Sequence, residues 1–175
     1  MEKKAQIWVS VVIYTLVGIA AIGLLLMVLQ PRINEARDGI TIKQTIEALH
    51  NFDSALRSTL IAPGNIRQVD FKLSKGELLV SSPADKISWS MQSAKKYSEI
   101  GIAVQEGTIT VLTEEGNPYK VTLTLNYAGI SDITFNAKEE EKLLAKSGKP
   151  YIISIENLGK GPGELLQQVN IKVRA

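Results

Sequence analysis

The residue types that serve as nucleophiles and proton carriers are scarce in this chain of 175 residues, which contains one histidine and no cysteine. The histidine, His50, precedes Asp53 and Ser54 by three and four residues, so a helix would place all three on one face. A catalytic triad needs a pocket in which a carboxylate orients the histidine and the histidine contacts the nucleophile, and one exposed helix face seldom provides it. We therefore interpret the trio as a solvated helix flank and predict that the protein is not an enzyme.

Three other stretches contain residue types that are found in ligand sites, but their spacing or extent does not match the motif that each kind of site requires. The glutamates at 139–141 are consecutive, whereas a calcium loop alternates its ligands. The glycine-rich residues 159–163 lack the Gly-Lys-Ser/Thr ending of a phosphate loop, and Pro162 removes one N–H. The basic pair before Tyr97 is too small a patch for nucleic acid in a chain with a net charge of +2. We predict no cofactor, no metal and no nucleic-acid partner.

The N-terminal segment has the length and polarity of a membrane span. Residues 7–29 form an apolar run, and no charged residue occurs between Ala5 and Pro31. At about 1.5 Å per residue, a helix over this run is long enough for the roughly 30 Å hydrocarbon core of a bilayer. A secretory signal peptide has a shorter apolar core followed by a small-residue cleavage site, which is missing here. A buried core helix of a soluble protein is the alternative, and it is disfavoured because a fully apolar helix at the N-terminus, behind two lysines, has no earlier chain to surround it.

The charges on either side of the span predict its orientation in the membrane, and the small residues within it bear on how it packs against other helices. Lys3 and Lys4 precede the span and favour a cytoplasmic N-terminus, although Arg32 and Arg37 on the other side weaken the bias. Small side chains within a span allow helix backbones to approach closely, but ordinary membrane composition also explains them. The small residues are Gly18, Ala20, Ala21 and Gly23.

An amphipathic pattern continues the helix after Pro31, where the missing N–H and the ring predict a kink or a restart. Apolar residues then recur every three or four positions, at Ile42, Ile46, Leu49, Phe52, Leu56 and Leu60. We predict one helix over residues 6–62, with a span at 7–29 and an amphipathic half at 32–61 that docks on a globular head. Gly39 is a predicted soft point within it.

From Pro63 onwards the apolar period changes from three or four to two. The clearest alternating segment carries apolar residues at 121, 123, 125 and 127, with polar residues between them, and glycine-containing turns separate several such segments. Residues 138–146 are consistent with a helical turn or with a charged loop. We predict an α+β protein in which a long N-terminal hydrophobic helix precedes an antiparallel, immunoglobulin-like β-sandwich head at 63–175.

The residues Lys3, Lys4, Ala5 and Gln6, directly before the apolar helix, resemble the class III signal of archaeal type IV pilins and archaellins. The head also looks like the β-sandwich heads of archaeal pilin-like proteins, mainly at residues 95–107 and 151–159. The resemblance implies that a prepilin peptidase removes the leader, residues 1–5, by cutting between Ala5 and Gln6. Bacterial pilins usually have glutamate at the fifth mature position, where this chain has Ser10.

The resemblance further implies a structural subunit of an archaeal type IV pilus-like filament that serves adhesion or surface assembly. Its partners would be other copies of itself, the prepilin peptidase, an assembly platform with its ATPase, and the membrane before assembly. The protein would change from a single-pass membrane protein into an extracellular surface filament. The predicted helix–helix core comprises Ile7, Trp8, Val12, Leu16, Gly18, Ala20, Ala21, Gly23, Leu24 and Met27. A membrane-anchored extracytoplasmic β-domain that binds partners without polymerising is the alternative.

Overall fold

The computed structural model describes the backbone of residues 2–174 and the side chains of residues 8–174. One helix, α1, covers Glu2–Thr59 and includes Pro31. Of the two alternatives predicted for Pro31, a kink or a restart, the restart is wrong, because the helix continues through this residue. The regular turns on both sides outweigh the one backbone hydrogen bond that proline removes. The helix also continues through Gly39, where an added Cβ would lie 3.0 Å from Cδ of Lys95. Gly39 therefore leaves room for the side chain of Lys95 to lie against the helix.

Two sheets follow the helix within the described part of the chain. The four-stranded sheet has the order β1-β9-β10-β7 and the six-stranded sheet the order β4-β5-β6-β3-β2-β8. The strands are β1 (Ile66–Phe71), β2 (Glu77–Ser81), β3 (Lys86–Ser93), β4 (Val104–Glu106), β5 (Ile109–Glu114), β6 (Tyr119–Asn126), β7 (Ser131–Phe135), β8 (Glu141–Ala145), β9 (Tyr151–Gly159) and β10 (Gln167–Arg174). The predicted α+β class with a β-sandwich head is confirmed. The pairing is antiparallel except between β7 and β10, which are parallel.

The period-two pattern correctly predicted which side of each central strand faces the core. On β6, Val121, Leu123 and Leu125 are buried, while Thr122 and Thr124 between them are partly exposed. Both alternatives for residues 138–146, a helical turn and a charged loop, are wrong for residues 141–145, which form β8 along the free edge of β2. In this strand Leu144 reaches the core with 6% exposure, while the residues on either side of it are exposed.

The second half of α1 belongs to the core of the head. It contacts β1 and β9 of one sheet and β5 and β6 of the other. Its buried side chains are Ile42, Ile46, Leu49, Phe52 and Leu56, which confirms the predicted apolar stripe. The first half of α1 extends beyond the head, so the molecule consists of an apolar stalk and a head that packs around the far half of the same helix.

Candidate membrane and assembly surface

The first half of α1 presents an uncovered apolar surface. Between Trp8 and Leu29, 16 large apolar side chains are between 42% and 76% exposed. None of the most apolar 18-residue window of the helix is buried against the rest of the described chain. An exposed apolar surface of this size marks a contact with lipid or protein. By length and composition, α1 is a helix that can cross a membrane.

The predicted core residues are spread around α1. Trp8, Val12, Leu16, Ala20 and Leu24 follow one another at intervals of four, and this row advances by about 40° per step and winds nearly halfway round the helix, with Gly23 and Met27 alongside it. Gly18 and Ala21 lie on the other side, and an added Cβ at Gly18 or Gly23 would meet nothing within 4 Å. The apolar surface therefore surrounds the helix, as lipid contact or packing in the centre of a bundle requires. The side chains of Lys3, Lys4, Ala5, Gln6 and Ile7 lie outside the described residues.

A second apolar stripe runs past Pro31 on the side of α1 that points away from the head. Leu29, Ile33 and Ile40 recur at intervals of four and seven, and they are 42%, 45% and 57% exposed. At 3.6 residues per turn, this line is opposite the face that carries Ile42 and Leu49 into the head. After Ile40 the outward positions become polar. Sequence reasoning missed Ile33 and Ile40, which stand outside the core-facing stripe and were therefore not assigned to any surface.

Two buried aspartates fix the second half of α1 to the head. Asp38 is 6% exposed, and its carboxylate accepts hydrogen bonds from Nζ of Lys75 and from the backbone N–H of Ala94, at 2.7 Å. Asp53 is 5% exposed and accepts hydrogen bonds from Nε of Arg57 (2.9 Å), Oγ1 of Thr108 (3.0 Å) and the hydroxyl of Tyr127 (3.1 Å). Each carboxylate thus joins the helix to loops of the head.

The prediction that His50, Asp53 and Ser54 form a solvated helix flank is therefore wrong for Asp53, which is buried. The position lies on the buried stripe, four residues after Leu49 and three before Leu56, and this signal was present in the sequence. His50 is half-buried against Gly107, where an added Cβ would be 2.8 Å from the imidazole Cε1. Both oxygens of Asp53 are engaged by donors other than His50, and Ser54 is exposed. The three side chains do not form a catalytic arrangement.

Asn157 on β9 holds the end of the helix. Its side-chain amide donates to the carbonyl oxygens of Thr59 (2.9 Å) and Ala62 (3.2 Å). Its own backbone carbonyl accepts from the N–H of Gly64 at 2.7 Å. The last carbonyls of a helix have no intrahelical donors, so a buried asparagine that supplies one fixes both the end of α1 and the turn into β1.

The hydroxyl of Tyr127 makes the stability of the head sensitive to alkaline pH. Burial, with the neighbouring Asp53 carboxylate as a second cause, raises the pKa of Tyr127 above its usual value of about 10. The unfolded chain then releases this proton at a lower pH than the folded chain does. The stabilising contribution is complete below about pH 10 and is lost as the pH rises further.

We expect the full chain in detergent to lose roughly 1 kcal/mol more unfolding free energy between pH 9 and pH 11 than its Tyr127→Phe variant, because phenylalanine has no proton to release. Urea unfolding at several pH values measures the difference. Tyr119→Phe, at a half-buried position on β6, serves as the control and should follow the unsubstituted protein. Equal pH slopes for the unsubstituted protein and Tyr127→Phe would contradict the assignment.

No family model, curated protein or solved structure matches the chain. Among residues 8–174, no group of three or more histidine, aspartate or glutamate side chains is placed to hold a metal ion. The most extensive exposed apolar surface of the described residues is the stalk of α1, which continues along the outward side as far as Ile40.

Proposed function

We propose that this protein is a pilin-like subunit of an archaeal type IV pilus-like surface filament. In this proposal the apolar half of α1 lies in the membrane until assembly and then forms the core of the filament, surrounded by the heads. The observation that carries the proposal is the outward stripe of Leu29, Ile33 and Ile40, which lies opposite the head. A bitopic anchor needs apolar residues only within the bilayer, whereas a bundle of helices also needs them beyond Pro31, where neighbouring stalks remain in contact.

The free energy of exposing apolar side chains to water supports a stalk that passes only from the lipid bilayer to the helical core of a filament, since both exclude water. Full burial of one Val, Leu or Ile side chain is worth about 1.5 to 3 kcal/mol. With 16 large apolar side chains exposed on the stalk, transfer of one subunit from lipid into water is prohibitive. Packing among helices of other copies replaces the lipid contacts, and the small residues at 18, 20, 21 and 23 allow close approach. Assembly from the membrane is therefore feasible only as polymerisation.

The proposed partners follow from this route. A prepilin peptidase removes residues 1–5, an assembly platform with its ATPase extracts the subunit, and the filament serves adhesion or surface assembly. The alternative is an anchored β-domain that binds a partner without polymerising. Both proposals include the membrane stage, and they differ in cleavage before Gln6 and in polymerisation.

Cleavage is tested by the intact mass of the protein from its native membrane. We expect a mass that begins at Gln6, and we expect Ala5→Asp to retain the full precursor mass, because a small residue before the cut is part of the processing signal. Thr15→Ser, within the span and away from the cut, is the control and should be processed normally. A native protein that keeps residues 1–5 would favour the anchored β-domain.

A further inference from the structure

The head has two ends, which the direction of α1 defines. The helix enters the head at Asp38, beside Lys75 and Ala94, and ends at Thr59, beside Asn157. We call the end around Asp38 the stalk end and the end around Thr59 the far end. The strand directions assign the connections to these ends, except for residues 136–140, which join two strands that run in the same direction. The hydrogen bond from the backbone N–H of Ser82 to the carbonyl oxygen of Glu140 places residues 136–140 at the far end.

The stalk end is basic. Its four connections, residues 72–76, 94–103, 115–118 and 146–150, carry six lysines and two glutamates, which gives 6 − 2 = +4. The lysines are Lys72, Lys75, Lys95, Lys96, Lys146 and Lys149. Lys75 and Lys96 form ion pairs with Asp38 and Glu99. Lys146 and Lys149 are exposed, and no carboxylate of the described chain lies within 4 Å of their ammonium groups.

The far end is acidic. Its connections, residues 60–65, 82–85, 107–108, 127–130, 136–140 and 160–166, carry two lysines and four acidic residues, which gives 2 − 4 = −2. The acidic residues are Asp85, Glu139, Glu140 and Glu164. On the adjoining strand ends, Asp132 of β7 and Glu141 of β8 add to this charge and Lys86 of β3 opposes it. The backbone N–H of Ile133, next to Asp132, donates to the carboxylate of Asp85 at 2.7 Å, which brings Asp85 close to β7. Partial desolvation, followed by the charges of Asp132 and Asp85, raises the pKa of Glu139 at the same end.

Parallel stalks make the two ends meet. When the apolar halves of α1 form one bundle with a common direction, all heads point the same way along the fibre. The stalk end of one head then faces the far end of a head beneath it, which is a heterologous contact that repeats without closing. Like charges on both ends would oppose this contact, whereas opposite charges favour it and select the register.

We infer that the basic stalk end, through Lys146 and Lys149, binds the acidic far end of a second copy around Glu139 and Glu140. This inference rests on the proposed function, since it assumes parallel stalks. An anionic membrane surface is the other candidate for the basic end, because that end faces the bilayer before assembly. The second copy is favoured because it also accounts for the clustered carboxylates at the far end, which a lipid surface leaves unexplained.

Charge reversal tests the pairing in the processed full chain, which is purified in detergent and assembled by detergent removal at low salt. Sedimentation and negative-stain microscopy give the concentration needed for filaments. We expect Lys146→Glu with Lys149→Glu to raise it about tenfold or more, since repulsion replaces attraction. Glu139→Lys with Glu140→Lys should have the same effect. The quadruple variant, which exchanges the two charges, should assemble nearly as the parent does.

The control makes the same change in net charge at the opposite end. Lys138→Glu with Lys160→Glu makes the far end more acidic, so we expect assembly that equals or exceeds that of the parent. Equal assembly of the parent and all charge-reversal variants overturns the pairing and leaves the filament proposal intact. Unchanged assembly together with weaker binding of Lys146→Glu with Lys149→Glu to phosphatidylglycerol vesicles overturns it in favour of lipid. A parent that forms no filaments overturns the proposed function, and the pairing with it.

Discussion

Filaments are expected to disappear when Ala20 is replaced by aspartate. Ala20 lies in the middle of the exposed apolar half of α1, on the face that also carries Leu16 and Leu24. In a helical bundle the new carboxylate would be repeated in every subunit within a dry core, where an unpaired charge is costly. A single aspartate at the centre of a membrane span costs only about 2.5 to 3.5 kcal/mol by insertion measurements, so the rest of the span should keep the subunit in the membrane.

Electron microscopy of the cell surface and immunoblotting of the membrane fraction measure the two effects separately. The matched control is Ala128→Asp, which makes the same change at an exposed position in the turn between β6 and β7. We expect normal filaments from the control, and membrane-bound subunits without filaments from Ala20→Asp. Normal filaments from Ala20→Asp would show that the middle of the stalk is not in a dry core.

Replacement of Asp53 by alanine should produce the largest loss of stability in the head among single polar substitutions. The change removes the acceptor for three donors, and it leaves the buried hydroxyl of Tyr127 and the hydroxyl of Thr108 without their partner. The Arg57 side chain is 47% exposed, so the loss of its ion pair adds little. We expect the free energy of unfolding of the full chain in detergent to fall by about 3 kcal/mol.

Urea unfolding followed by near-ultraviolet circular dichroism reports this loss, because the signal of the buried Trp89 depends on the packing of the head. Asp70→Ala removes an exposed carboxylate from β1 and should change the stability by no more than about 0.5 kcal/mol. Asp53→Asn, which keeps one oxygen acceptor, should fall between the two. If Asp53→Ala costs no more than Asp70→Ala, the buried carboxylate does not hold the helix to the head.

Much of the architecture could be predicted from local patterns. The uncharged run at 7–29 indicates a helix suited to lipid, since few other structures tolerate so long an apolar stretch. The stripe from Ile42 to Leu56 has the helical period, and the alternation at 121–127 has the strand period, so both buried faces were identified correctly. These features depend on residues that are close in sequence, and the alternation of apolar and polar side chains indicates which face is buried.

Features that depend on distant parts of the chain were not predicted. The parallel pairing of β7 with β10 and the pairing of β8 with β2 join segments that are distant in sequence, and local periodicity does not specify such partners. The burial of Asp38 and Asp53 requires donors from Lys75, Ala94, Thr108 and Tyr127, far along the chain. Both aspartates occupy positions of the core-facing stripe, and a charged residue on such a stripe is a sign of a buried partner.

The stalk could be located from the sequence, whereas its outward extension could not. Ile33 and Ile40 are meaningful only when the direction of the head is known, because exposure alone does not distinguish a contact surface from scattered surface apolar residues. The two ends of the head likewise become basic and acidic only after the fold brings the separate loops together.

Electron cryo-microscopy of surface filaments, purified from cells that produce this chain, tests the central claim most directly. We predict a helical reconstruction in which the axial density is a bundle of α1 helices containing residues 8–29, with the β heads on the outside and the stripe ending at Ile40 turned towards the axis. Filaments whose centre consists of β heads, with the stalk exposed or folded against its own head, would contradict the account.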